Sequence, residues 1–354
     1  VSEYVAAALY DEHQGFYQLR GSAGRRGDFL TAPEVGPLFG AVLARALDSW
    51  WKDLGCPQPF TVLEWGAGPG TLARSVFAAE PELLRCGALQ WNAIELAAAQ
   101  RATHLEHPSL ASTAQPPAER CEFGVVLANE LLDNLPFDIY QRRAQQWFEV
   151  RVDVAKQRHE FVTVEVPLKI DEHHLRIVEA LNALLSTVDA EPLQVVWQSA
   201  AQDWLNAALN SLRYGRVVVF DYGASSAELA ARGDWVRTFR GHQPGRPQSW
   251  LNDPSGSDIT ADVAVDQLEL VCKADCNRTQ AEFLQAHGID DLVAAGKQQW
   301  QATAHIGDLT ALRARSRIRE AETLCDPTAM GSYRALEWQV GCQGDIERPL
   351  ERRL

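Results

Sequence analysis

The sequence predicts an α/β fold in which a mostly parallel sheet carries helices on both faces. Three observations predict it. Short runs rich in Val, Ile and Leu alternate with longer stretches of helical periodicity, the pattern of strands buried on both faces. The first run enters a glycine-rich turn, LEWGAGPG at 63–70, and the second ends in an acid, Glu95.

The elements follow in order. Tyr4, Val5, Ala8 and Leu9 recur at helical spacing, and the chain passes Gly15, Phe16 and Tyr17 into a Gly/Arg-rich loop over 21–27. GDFLTAPE follows at 27–34. A helix is predicted from Gly36 to Trp51, with Leu38, Val42, Leu43, Ala46, Leu47 and Trp50 on its apolar face. Strands are predicted at 60–64, 89–95, 122–128 and 215–221, and helices at 71–79 and 96–105. Between the last two strands lies an insertion of about ninety residues, too long for a plain crossover. Within it, 147–154 and 160–166 alternate like a hairpin, while 175–185 and 200–212 read as helices. Residues 232–262 are Gly/Pro/Arg-rich and read as a long functional loop. A strand at 266–272, helices at 279–286 and 306–321, and a strand at 333–340 complete the chain. The organisation expected is an N-terminal helical segment (1–58), a core (59–140 and 214–354) and an inserted subdomain (141–213) that shapes a substrate cleft.

Composition bounds the function. Of the 354 residues 46% are apolar and 23% charged, ordinary for a globular protein with a sizeable core. The net charge of −14 argues against a general nucleic-acid surface, because phosphate binding depends on Lys and Arg. It fits a basic peptide or protein substrate somewhat better, although a solvated acidic surface is the simpler and stronger explanation. The seven scattered cysteines suit a reducing compartment rather than a disulfide framework. Cys272 and Cys276 lack a partnering Cys or His pair, so no metal site is expected. No apolar run reaches membrane-spanning length, and membrane insertion is not expected. Oligomeric state is left open.

In an open parallel sheet, ligands bind beyond the carboxyl ends of the strands. Gly66, Gly68 and Gly70 lie there, and glycine lets the backbone approach a ligand closely. The dinucleotide fingerprint needs a third glycine three residues after the second; here that position is Thr71. The spacing therefore disfavours a nicotinamide-dependent oxidoreductase and favours a cofactor without pyrophosphate, S-adenosylmethionine. Such turns also occur without any ligand. Glu95 stands where an acid can accept from ribose hydroxyls, or is a solvated strand-end charge. Glu64 is placed to serve the cationic methionine moiety. LANELLDNLP at 127–136 brings Asn129, Glu130 and Asp133 to another strand end. Asn129 and Glu130 could cap and charge a helix start. Alternatively, all three line a methyl-transfer site, where carboxylates would orient a guanidinium by bidentate hydrogen bonds.

These motifs, with AIEL at 93–96, VVVFDYG at 217–223, SDITADV at 257–263 and MGSYRALEW at 330–338, resemble the MidA-like family of class I methyltransferases. That family includes a mitochondrial complex I assembly factor with protein-arginine methyltransferase activity. The resemblance covers nearly the whole chain. It implies a seven-stranded sheet, S-adenosylmethionine as cofactor, and an arginine of a protein, such as a respiratory-complex subunit, as acceptor. It also implies that Gly66, Gly68, Gly70 and Glu95 bind the cofactor, that Asn129 and Glu130 adjoin the methyl group, and that Asp28, Thr31, Pro33 and Glu34 close over the cofactor. Pro33 and Glu34 also suit an ordinary helix start. The chain departs from the family pattern in 232–256, where Arg237, Arg240 and His242 replace a run richer in His and Asp. The Pro-rich stretch 108–119, where a third strand is due, is another departure. The location expected is cytoplasmic, of the bacterial type, or the mitochondrial matrix after removal of a transit peptide. A non-catalytic assembly factor that keeps the cofactor pocket and a small-molecule methyltransferase are the competing readings.

Overall fold

Strands that are apolar on both faces must be buried between two helical layers, and the computed structural model shows how. It describes residues 1–19, 30–155, 160–169, 171–240, 243–244, 249–306 and 308–341. A seven-stranded sheet forms the centre. Its strands are β1 (Phe60–Trp65), β2 (Leu89–Ile94), β3 (Leu110–Thr113), β4 (Cys121–Asn129), β5 (Leu212–Asp221), β6 (Cys276–Thr279) and β7 (Arg334–Val340). Their spatial order is β6-β7-β5-β4-β1-β2-β3. Only β7 runs against its neighbours. The carboxyl ends of the parallel strands therefore share one rim.

Successive strand residues point to opposite layers. Val62, Trp91, Val125, Leu127, Val218 and Phe220 meet the helix Pro37–Asp53 through Phe39, Val42, Leu47 and Trp50. Leu63, Val126, Val217, Val219 and Trp338 meet the helix Ser199–Asn210 through Trp204 and Leu205. Pro37 opens the long helix, where its missing N–H costs nothing. The next amide, Leu38 N, donates to Glu320 Oε2 at 2.9 Å, from the distant helix Leu309–Leu324.

Two additions rise from the rim. After β4, Asp138–Arg143, Gln146–Ala155, Glu160–Pro167 and Leu193–Trp197 make a four-stranded sheet covered by the helix Glu172–Leu184. After β5, Val236–Arg240 pairs with Asp258–Ala261 and with Gln243–Pro244. The N-terminal helices Ser2–Tyr10 and Phe16–Leu19 lock onto both, burying Val5, Leu9 and Phe16 against Phe137, Ile139, Trp235 and Ile259.

Several elements differ from expectation. Residues 232–262 contain that small sheet rather than one long loop; the alternation of Val236 and Thr238 with Ile259 and Ala261 is short and hidden among Gly and Pro. The expected strand at 266–272 is a helix, Val265–Leu268, followed by turns: Val265 and Leu268 are buried together at helical spacing. The helix expected at 96–105 shrinks to Ala98–Arg101, because His104 leaves it to bond Gly68. The helix expected through Leu212 stops at Asn210, and Leu212 begins β5. The last long helix begins only after Asp308, whose carboxylate accepts from Ala311 N. The helix Ile289–Thr303 carries no clear apolar stripe in the sequence, since only Ile289 and Gly296 are buried along it.

Candidate functional site

The carboxyl ends of β1, β2 and β4 wall a cavity of about 370 Å³. Gly66 and Gly70 adopt φ of +67° and +74°, the left-handed region that side chains resist. A Cβ on Gly66 would stand 2.8 Å from Leu131 Cδ1, and one on Gly70 2.9 Å from His104 Cδ2. Between them, Gly68 N donates to Glu95 Oε2 at 2.9 Å, while Ala97 N donates to Oε1 at 2.8 Å. His104 Nε2 lies 2.8 Å from Gly68 O, and its Nδ1 lies 2.8 Å from Ser112 Oγ. Glu95, at the end of β2, and His104, in the turn after the helix Ala98–Arg101, thus hold the glycine turn from two sides. Burial raises the Glu95 pKa, and the two N–H donors oppose it.

Glu64 also lines the cavity, but its Oε2 accepts from Trp91 Nε1 at 2.8 Å. Burial pushes its pKa up to about 8. Thr31, Pro33 and Glu34 form the opposite wall at the start of the short helix Ala32–Val35. Their helix-start role and their site role coexist. Asp28 lies outside the described residues. Two buried atoms at this cavity, Trp65 Nε1 and Asn129 Oδ1, have no hydrogen-bond partner among the described residues. A left-handed glycine cradle, an acid at the β2 end and unpartnered polar atoms fit a nucleoside cofactor.

Asn129 and Glu130 do not cap a helix. Glu130 sits at φ +49°, and its N–H donates to Phe220 O at 2.7 Å, tying the ends of β4 and β5 together. The turn sends its side chain towards Ala32, whose N–H donates to Oε1 at 2.9 Å. A second cavity, about 180 Å³, opens beside the first; Glu130 and Asn134 line both. Its other walls include Asp133, Asp258, Tyr222 and Tyr333, the two tyrosine rings 5.3 Å apart.

This second cavity is rich in acid. Asp133 and Asp258, which line it, are 3% and 1% exposed, and Asp221, which does not line it, is 2% exposed. Burial is the first cause of every shift: it pushes Glu130 up to about 8, Asp133 and Asp258 up to about 7, and Asp221 well above its usual value. Neighbouring carboxylates add to the rise. Tyr222 donates to Asp133 Oδ2, while Asp133 Oδ1 has no partner among the described residues. Asp221 Oδ2 accepts from Leu132 N at 2.9 Å and so holds the turn that carries Asp133. Arg237 pairs with Asp262 and lies over the Tyr222 ring at 4.6 Å. Arg240 contributes backbone to its strand, and His242 lies outside the described residues.

The structure therefore separates the expected site into two chambers. Gly66, Gly68, Glu64, Glu95, Thr31, Pro33 and Glu34 line the first, with Gly70 closing the turn behind them. Asp133 lines the second, Glu130 both, and Asn129 the first. Sequence reasoning assigns no role to Tyr10, Tyr17, Trp204, Asn134, Asp221, Tyr222, Asp258 or Tyr333. Five of these sit inside motifs visible in the sequence: NELLDNLP, VVVFDYG, SDITADV and MGSYRALEW carry Asn134, Asp221, Tyr222, Asp258 and Tyr333. Polar residues in apolar strand-end motifs are the available signal.

With this geometry in hand, comparison with known proteins is specific. Residues 42–284 match the model of the family described as "Putative S-adenosyl-L-methionine-dependent methyltransferase". The Drosophila melanogaster protein named "Protein arginine methyltransferase NDUFAF7 homolog, mitochondrial" is 29% identical over 297 residues. That match covers 74% of this chain and 64% of the fly protein, so the chain spans less than two thirds of that relative. The Xenopus tropicalis protein of corresponding name is 28% identical over 329 residues, covering 82% of this chain and 72% of its own. A crystal structure from Burkholderia thailandensis, bound to S-adenosyl-homocysteine, superposes with a TM-score of 0.77 at 26% identity. The superposition covers 96% of this chain and 87% of that one.

Proposed function

The chain belongs to the MidA-like family of S-adenosylmethionine-dependent methyltransferases, and from that premise we propose that it methylates an arginine side chain of a protein. The observation that carries this reading is the second cavity. It adjoins the cofactor cavity, it is walled by Glu130, Asp133 and Asp258, and two tyrosine rings face it. Planar cations bind in such surroundings through paired carboxylates and aromatic faces. The names of the relatives support arginine as the acceptor and, by the word mitochondrial, the second of the two expected compartments. No helix among the described residues is long and apolar enough to cross a membrane.

Bound in the first cavity, the cofactor supplies an electrophilic methyl group. Glu95 and the glycine turn would hold it, with Asn129 beside it. Glu130, at the boundary of the chambers, orients the guanidinium by accepting its N–H donors. An arriving guanidinium favours the ionised forms of Glu130, Asp133 and Asp258, offsetting the burial that raises their pKa values. Methylation of a guanidinium nitrogen releases one proton. Asp133 takes it at Oδ1, which is unpartnered among the described residues, while Tyr222 fixes the other oxygen. Alignment of two reactants in adjoining chambers provides most of what the protein contributes.

The test is incubation of the protein with radiolabelled cofactor and candidate protein extracts, followed by acid hydrolysis and amino-acid analysis. Labelled methylarginine is expected with the wild type and not with Asp133→Asn. Label in any other residue, or in small molecules alone, would refute arginine as acceptor. A lack of label despite normal S-adenosylhomocysteine binding would favour the non-catalytic assembly factor.

A further inference from the structure

The N-terminal helices contribute two tyrosines that no part of the proposed reaction uses. Tyr10 and Tyr17 stack with ring centroids 5.6 Å apart, and both residues line the cofactor cavity. Their hydroxyls engage residues that line the second cavity. Tyr10 donates to Asn134 O at 3.1 Å. Tyr17 donates to Asp258 Oδ1 at 2.9 Å, and Asn134 Nδ2 donates to the same oxygen at 3.0 Å. Asp258 is a wall of the second cavity and not of the first; Asn134 belongs to both.

A phenol ring is rigid, so its face cannot be fixed without fixing its hydroxyl. We propose that Tyr17 is a positioning residue that links the two chambers, its ring closing the cofactor cavity while its hydroxyl sets Asp258 in the acceptor cavity. The identity of the second chamber rests on the arginine reading above; the link itself does not. An occupant that presses on the Tyr17 ring steadies the donor to Asp258, and a buried carboxylate holds its charge only while donors are in place. A cation drawn to Asp258 steadies the ring in return, because coupling between two sites is reciprocal.

A double-mutant cycle on S-adenosylhomocysteine binding, read by calorimetry, tests the link without any acceptor. Asp258 does not line the cofactor cavity, so Asp258→Asn should act on cofactor affinity through the two residues it bonds there, Tyr17 and Asn134, and only the Tyr17 share disappears in Tyr17→Phe. We expect Asp258→Asn to weaken binding about fivefold in the wild-type background and less than about twofold in Tyr17→Phe, a coupling of ordinary size for contacting groups. An equal effect in both backgrounds, or none in either, overturns the proposal. Should circular dichroism show Asp258→Asn unfolded, Asp258→Glu, which keeps the charge and shifts the acceptor oxygen away from the Tyr17 hydroxyl, replaces it with the same expectation. A second arm titrates an acetylated glycine-arginine-glycine amide with and without S-adenosylhomocysteine. Tighter peptide binding with the cofactor product present, lost in Tyr17→Phe, supports the link; the same ratio in Tyr17→Phe overturns it. A peptide that never binds, alongside a coupled cycle, refutes the arginine reading and leaves the link standing.

Discussion

Replacing Glu130 with glutamine should stabilise the protein at neutral pH while disabling it. Burial pushes this carboxyl from 4.5 up to about 8. Between those values the folded state holds a proton that the unfolded state has released. Stability therefore falls as pH rises through that window, opposite to the behaviour of a salt-bridged carboxylate. One proton corresponds to about 1.4 kcal/mol per pH unit. Between about pH 5.5 and 7.5 the wild type should thus lose about 3 kcal/mol that the amide does not lose. The introduced amide keeps the size of the side chain and an oxygen to accept from Ala32 N. At about 2 °C per kcal/mol for a chain of this size, Glu130→Gln should melt about 6 °C above the wild type at about pH 7.5 and level with it at about pH 5. The assay is thermal melting by circular dichroism at half-unit steps of pH, with both proteins in the same buffers. Parallel melting curves across this range would show that Glu130 does not bury a proton, and the account of the acid cluster would fall with it. A gain in stability on removing a site residue is the usual sign of an environment kept for function.

Three further outcomes are expected. Gly66→Ala adds a Cβ 2.8 Å from Leu131 Cδ1 at a φ of +67°, costing about 1–2 kcal/mol in the cradle; calorimetry should show S-adenosylhomocysteine bound about tenfold more weakly. Asp133→Asn should lower methyl transfer about 100-fold or more while leaving S-adenosylhomocysteine affinity within about threefold, as filter-binding and calorimetry would record. Glu320→Ala removes the buried acceptor of Leu38 N and should lower stability by about 2 kcal/mol in denaturant melts, with little change in cofactor affinity.

The legible part of this molecule is its periodic part. β1, β4 and β5 hold apolar runs, β2 and β7 alternate apolar with polar residues, and the pattern predicts each within a few residues. The glycine turn and Glu95 are legible because strand-end positions carry meaning in a parallel sheet. β3 is obscured because its four residues are exposed or only half-buried, with no apolar run to mark them. The division of the site into two chambers is not legible. It depends on Glu130 taking a left-handed turn, which sequence does not forecast for a glutamate, and on Asp258 arriving from a strand about 130 residues away. Tyr17 reads in the sequence as part of a passage into a loop; its role emerges only once the N-terminal helices fold over the rim.

The one-sided rim has a further consequence. Both additions and the N-terminal helices rise from the end of the sheet where the strands finish. Of the flanking helices Thr71–Ala78 and Ser199–Asn210, only Thr71, Leu72 and Trp204 reach the first cavity, and no residue of either reaches the second. Apart from Tyr10, Tyr17 and Gln18 of the N-terminal segment, which line the first cavity, cradle and canopy are built by different stretches of chain. A change in the canopy that spares Tyr10, Tyr17 and the groups they bond leaves the grip on the methyl donor as it was. Selection on such a molecule acts on two separable parts joined by a few tyrosine hydroxyls.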